Sequence, residues 1–290
     1  MPWTAASLAE DLRRLGLGAG DTVLVHSSLH AIGEVPDGAA GVLAAFRDVI
    51  GVQGTLVVPT FTMENSKSSR AHLERISGLT PRQVEEFRAV MPPFDAASTP
   101  SSTGRLAEQV RLTPGALRSG HPQTSFAALG RHARSIVADH AVDCHLGEHS
   151  PLARLRDMDA KVLLAGVGFD ACTAFHLAEY DESNTPKPVR RTYECVVDDG
   201  TGPRWYAFES VELDDGDFPA LGAAVDGEPE LTIKGTLGSA TARVLPMAPA
   251  VEFAVRWLGT HRRTRLPDHS RESPGSSSLG PQVRGLDRRG

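Results

Sequence analysis

The chain has 290 residues, 40% of them hydrophobic, and 30 Lys and Arg against 36 Asp and Glu give a formal net charge of -6. A pI near 6.0 argues against a nucleic-acid scaffold, and the length suits one large core or two small ones. Cys144, Cys172 and Cys195 have no zinc-type spacing and make no even set, and the N-terminal MPWTAASLAEDLRRLGL is neither a signal peptide nor a membrane span, so a reduced, cytoplasmic protein is expected.

Residues 5–17 carry Leu8, Leu12 and Leu15 on one stripe and end at Gly18 and Gly20, which predicts an amphipathic helix. DTVLVHSSL, residues 21–29, runs an apolar strand into His26, Ser27 and Ser28, polar groups at the carboxyl end where ligands of open α/β sheets bind. After a turn at Pro36, Asp37 and Gly38 a helix is predicted to about Ile50, with first-turn amides that could hold a phosphate. A second strand, residues 54–62, again ends in polar residues. Residues 63–93 form a charged, helical excursion suited to a lid or insertion. A Ser/Thr cluster then precedes a helix over residues 103–110, which its hydroxyls can cap. HPQTSFAALG brings a histidine, two hydroxyls and an aromatic together before the helical RHARSIVADHA. Residues 146–159 read as a loop with Glu148 leading into a short helix.

VLLAGVGFDACTAFHLAEY, residues 162–180, predicts a buried strand, a glycine turn at Gly166 and Gly168, and a helix whose first amides Asp170 can cap. On a helix His176 and Glu179 share a face, and a carboxylate beside an imidazole fixes its tautomer and prepares it as a general base. Beyond Tyr180, residues 189–197, 204–212 and 241–245 are β-like, separated by the turn-forming DDGTGP and LDDGDFPALG, and predict an antiparallel layer packed on the first part. PAVEFAVRWL is a last apolar helix. Past His261 the Ser, Pro, Gly and Arg content is that of a disordered tail. Helices alternating with apolar strands make the fold class α/β, a central mainly parallel sheet flanked by helices with a C-terminal antiparallel layer. One catalytic domain over residues 1–260 and a tail over residues 261–290 follow from this division.

HSSLHAIGEVPDGAAGVLAAF, RSGHPQTSFAALGRHA and LGEHSPLARLRDMDAKVLLAGVGFDACTAFHLAEY, in this order and spacing, resemble the aminoglycoside 3-N-acetyltransferase family over residues 5–258. The resemblance implies an α/β fold distinct from the common N-acetyltransferase fold, and acetyl transfer from acetyl-CoA to an amine, typically the 3-amino group of a deoxystreptamine ring, by direct transfer. The family's TxxHxxE pattern falls on Thr173, His176 and Glu179, its coenzyme-side HSSL on His26, Ser27, Ser28 and Leu29, its HPxxSFAA on His121, Pro122, Ser125 and Phe126, and its GExSP on Glu148, Ser150 and Pro151. Around residues 98–104 the chain is a residue shorter than its relatives, so a coenzyme contact there falls on Ser101, Ser102 or Thr103, with Thr103 the first choice.

In chemical terms, His176 would be the general base and Glu179 its orienting partner. Ser27, Ser28 or Ser125 could supply donors to the thioester oxygen. Glu148, Asp170, Asp214, Asp215 and Asp217 could face ammonium groups, although the DDGD run suits a plain turn. His121, before a proline, reads as structural. Three other readings stand: a non-aminoglycoside amine as acceptor, a Cys172 or Ser125 acyl-enzyme working with His176, and a non-catalytic amine- or coenzyme-binding protein. Expected partners are an amine substrate and acetyl-CoA, with no metal, nucleic acid or membrane, in a monomer or homodimer.

Overall fold

The apolar runs read as strands form the middle of one seven-stranded sheet in a computed structural model that describes residues 2–183 and 187–262. The strands are β1 (Thr22–Ser27), β2 (Thr55–Pro59), β3 (Leu117–Arg118), β4 (Phe126–Gly130), β5 (Lys161–Ala165) and, after the separate hairpin β6 (Arg190–Asp198) and β7 (Pro203–Val211), β8 (Ile233–Leu237) and β9 (Ala240–Pro246). Spatial order in the sheet is β3-β4-β2-β1-β5-β9-β8. Its parallel part is β2-β1-β5, with Val23 opposite Leu56 and Ser27 opposite Ala165; the strands on both flanks run antiparallel. A strand with helices over both faces is apolar at every position, which is why β1, β2 and β5 read as continuous runs instead of alternating ones.

Alternate residues of these strands feed two cores. Val23, Val25, Leu56, Val58 and Leu163 face α1 (Ala5–Arg14), α3 (Gly38–Ile50) and α6 (Arg105–Leu112). Leu24, Val57, Val162 and Leu164 face α7 (Ala133–Val137), α8 (Pro151–Asp157), α10 (Phe218–Val225) and α11 (Met247–His261). Two single turns, α2 (Leu29–Ile32) and α9 (His176–Glu179), follow β1 and β5 near their carboxyl ends. The charged excursion carries α4 (Arg70–Ile76) and α5 (Pro81–Ala89), capped by the hydroxyls of Ser69 and Thr80.

The expected antiparallel layer divides. β6 and β7 pair along their whole length as a ribbon of their own, whereas β8 and β9 extend the main sheet by pairing β9 against β5. LDDGDFPALG is not only a turn. Asp215 and Asp217 carbonyls start α10, and Phe218, Leu221, Gly222 and Val225 place its buried stripe at helical spacing. Among the described residues no helix is long and apolar enough to cross a membrane.

Candidate active site

At the end of β5 the chain reverses through Gly166, whose φ of +68° favours glycine and whose missing Cβ would meet the Cβ of Ala31 at 2.3 Å. The predicted helix does not follow. Two 3₁₀ turns, Phe169–Ala171 and Thr173–Phe175, come first, and α9 is a single turn. Core packing overrides helical spacing here: Phe169 and Phe175 stack at 5.9 Å, and Phe169 lies so close to Gly222 that a Cβ there would meet its ring at 2.0 Å. Asp170 accordingly makes no capping bond.

α9 joins His176 to Glu179. Nδ1 of His176 lies 2.5 Å from Oε2 of Glu179, and the imidazole packs on Phe218 at 4.8 Å. Glu179 is almost wholly enclosed, its side chain 1% exposed. Its other oxygen, Oε1, accepts the Asp214 N–H at 3.0 Å and Nη1 of Arg262 at 2.7 Å. Arg262 is itself gripped by Asp217, Nε to Oδ2 and Nη2 to Oδ1 both at 2.7 Å. Burial disfavours the guanidinium charge, but the bonds and charges of Asp217 and Glu179 outweigh that and raise its proton affinity above the ordinary value. An Nδ1–H donated to the carboxylate fixes the tautomer in which, for the neutral ring, Nε2 is the nitrogen with the lone pair.

His176 lines a cavity of about 380 Å³ at the carboxyl ends of β1, β2 and β5, together with His26, Ser27, Phe61, Thr103, Asp170, Thr173 and Asp215. His26 is held neutral, its pKa lowered to about 3 by burial and by neighbouring His176, and its Nε2 lies 3.2 Å from the Thr173 hydroxyl. A groove of about 880 Å³ shares Ser27 with this cavity and is bordered by Ser28, Leu29, Gly38, Ala39, Gly104 and Arg105. Two helices, α3 and α6, begin on it with no side-chain cap over their first amides, next to the Arg105 guanidinium. Uncapped amides and a guanidinium suit an anion, although the Glu34 carboxylate also lines the groove.

A family model described as aminoglycoside 3-N-acetyltransferase matches residues 24–259. The chain belongs to that family. The SPbeta prophage-derived aminoglycoside N(3')-acetyltransferase-like protein YokD of Bacillus subtilis (strain 168) is 37% identical over 264 residues, 89% of this chain and 93% of its own. The YokD crystal structure superposes with a TM-score of 0.84 at 34% identity, covering 92% of this chain and 97% of that one. Aminoglycoside N(3)-acetyltransferase VII of Streptomyces paromomycinus is 34% identical over 271 residues, 89% of this chain and 92% of its own. A structure of AAC-IIIb in binary complex with CoASH has a TM-score of 0.79 at 30% identity over 92% of this chain and 100% of that one.

Within this member of the acetyltransferase family, the expected site residues separate into two groups. His176, Glu179, His26, Ser27, Ser28, Leu29, Thr103 and Asp170 meet at the cavity, its groove or the carboxylate behind them. Ser28 accepts the Ala31 N–H as the cap of α2, and Thr103 donates its hydroxyl to the Pro59 carbonyl, tying its loop to β2. Ser125 and Phe126, expected beside the coenzyme, are both fully buried, Phe126 where β4 pairs with β2 and Ser125 just before that strand. The Ser125 hydroxyl is taken up by the Thr60 carbonyl and Arg118, and Phe126 backs the cavity-lining Phe61 edge-on at 5.5 Å. Glu148 stands apart as well: both its oxygens are held by Arg156, at 2.6 and 2.9 Å.

Cys172 does not share with His176 the helical face that the spacing suggests. It sits in the break between the two 3₁₀ turns, off the helical spacing that would align it, and burial pushes its thiol up to about 12. His121, read as structural, is fully enclosed in a cluster with His140 and His145. The sequence reading missed Arg262, which it assigned to the tail. The available signal was a cation placed just after an apolar helix, where the helix dipole favours one. It also undervalued the DDGD run, which supplies the Asp214 amide to Glu179, the Asp217 carboxylate to Arg262 and Asp215 to the cavity wall. Residues 263–290 of the expected tail lie outside the described residues. Among the described residues no cluster of three or more His, Cys, Asp or Glu side chains is arranged to hold a metal.

Proposed function

We propose that this acetyltransferase moves the acetyl group of acetyl-CoA directly to the 3-amino group of an aminoglycoside, with His176 as general base. The observation that carries the mechanism is the enclosed His176–Glu179 pair, whose imidazole lines a cavity that shares Ser27 with an anion-suited groove. Acetyl-CoA is a substrate here, and the groove fits its phosphates: the uncapped starts of α3 and α6 and the charge of Arg105 lie along one border, with His26, Ser27, Ser28, Leu29 and Thr103 leading from it to His176. CoASH in the AAC-IIIb structure supports the same assignment by kinship.

An ammonium ion has no lone pair to attack with. Asp170 and Asp215 on the cavity wall suit the cationic acceptor; once the reacting ammonium has released one proton to solvent, Nε2 of His176 takes the second as the neutral amine nitrogen bonds to the thioester carbon. The negative charge that develops on the carbonyl oxygen needs a donor, for which the Ser27 hydroxyl, at the junction of cavity and groove, is placed. As the carbon–sulfur bond breaks, the proton held by His176 passes to the departing thiolate, so the imidazole returns to its starting state.

His176→Ala should fold and bind acetyl-CoA as the parent does, with kcat lower by roughly a hundred- to ten-thousand-fold, the usual contribution of a general base. Thiol release from acetyl-CoA with a panel of aminoglycosides and other amines measures this and identifies the acceptor. Turnover close to the parent's in that variant would remove His176 from the mechanism, and thiol release with no aminoglycoside would remove the acceptor class.

A further inference from the structure

A side chain on a turn as short as α9 is not fixed by its own helix. What holds Glu179 comes from elsewhere in the chain: the Asp214 amide from the approach to α10, and the Arg262 guanidinium from the end of α11. The guanidinium is itself placed by a fork on Asp217 and by a bond from Nη2 to the Asp214 carbonyl at 2.6 Å, so that Nη1 is left aimed at Oε1 of Glu179. Its position at the carboxyl end of α11 adds the favourable helix-dipole term.

On the footing that His176 is the base, we propose that Arg262 is a positioning residue for acetyl transfer, which keeps Glu179 ionised and its second oxygen turned to Nδ1 of His176. An enclosed carboxylate without a cation is driven to take up a proton. A protonated Glu179 no longer demands the Nδ1–H tautomer, and the imidazole can then present N–H to the amine where a lone pair is required. If Glu179 instead stayed charged without Arg262, its uncompensated field would hold the proton on His176 more tightly. Both routes move the acid limb of the rate profile to higher pH. The other ionisable groups around the pair are His26 on β1 and His145 before α8, each held neutral by burial, with Asp170, Asp215 and Asp217 as the nearby carboxylates.

Lysine would restore the charge but not the fork that anchors it on Asp217 while reaching Glu179. The test compares full-length parent, Arg262→Gln, Arg262→Lys, Asp217→Asn and His176→Ala by thiol release across a pH series, with melting temperatures alongside. Arg262→Gln is expected to lose about ten- to a hundred-fold in kcat, less than removal of the base itself, with KM for acetyl-CoA little changed and the acid limb displaced upward. Arg262→Lys should recover part of the lost kcat. Parent-like kcat and acid limb in a folded Arg262→Gln, or a kcat loss with no change in the pH profile and no recovery by lysine, would overturn the proposal. Should Arg262→Gln fail to fold, Asp217→Asn, which loosens the guanidinium without removing it, carries the comparison: a displaced acid limb supports the role and a parent profile sinks it. An active His176→Ala would instead bring down the assignment of the base, so the two failures are distinguishable.

Discussion

A thiol four positions before an imidazole pairs with it only when both sit on one continuous helix, and Cys172 lies in the break between two tighter turns, with φ -74° and ψ 85°. Burial raises its pKa to about 12, so almost no thiolate is present near neutral pH. Cys172→Ala should therefore keep most of the turnover, and mass spectrometry of the parent mixed with acetyl-CoA alone should find no acetylated protein. A stoichiometric acetyl adduct on Cys172 would replace direct transfer with an acyl-enzyme. His176 and Glu179 were legible in the sequence because their contact is local, three positions apart and within reach on a single turn. Arg262 was not, since its place after an apolar helix is shared with Arg263 and its partner lies 83 residues away. The burial of Ser125 was not legible for the converse reason. A hydroxyl in a motif carries no sign of which way it faces, and this one is turned inward to the Thr60 carbonyl just before β4.

At the scale of elements, the run from β5 to α9 depends on Gly166. A methyl group there would be strained by the positive φ and would press on Ala31 in α2. Gly166→Ala should lower stability by at least about 1–2 kcal/mol, the cost of a left-handed conformation for an alanine, before the contact with Ala31 is added. Thermal unfolding of the variant checks this, and an unchanged melting temperature would mean that the turn relaxes freely. The central strands and long helices were readable because apolar runs and amphipathic stripes are set by burial alone. α10 was hidden by the Asp and Gly before it, which suit a turn and do form one, and only the spacing of Phe218, Leu221 and Val225 reveals the helix that follows. The short turns around Cys172 follow from tertiary packing of two phenylalanines, which no local pattern encodes.

For the molecule as a whole, pH stability is governed by histidines enclosed in neutral form. Burial lowers His26 and His145 to about 3 and His140 to about 4, and places His121 well below its ordinary value. The unfolded chain binds protons at these residues from about pH 6.5 downward while the folded one does not, so their contribution is intact above that pH and is lost as pH falls towards the folded values. Each such histidine removes up to about 1.4 kcal/mol per pH unit across that window. Denaturant midpoints should fall steeply between about pH 6 and pH 4. A flat profile would show that these side chains reach water. Replacing His121 or His140, which do not line the cavity, should flatten the curve without altering the acid limb of catalysis.

The long reach from Arg262 to Glu179 also sets an order of events during synthesis. β5 leads to the dyad, yet its second neighbour in the sheet, β9, is made only after the β6–β7 hairpin and α10, and Arg262 comes later still. A nascent chain that has already collapsed around β1, β2 and β5 would hold His176 beside a carboxylate not yet clamped. Should Arg262 position Glu179 as proposed, full turnover would arrive only once the end of α11 has been made and docked.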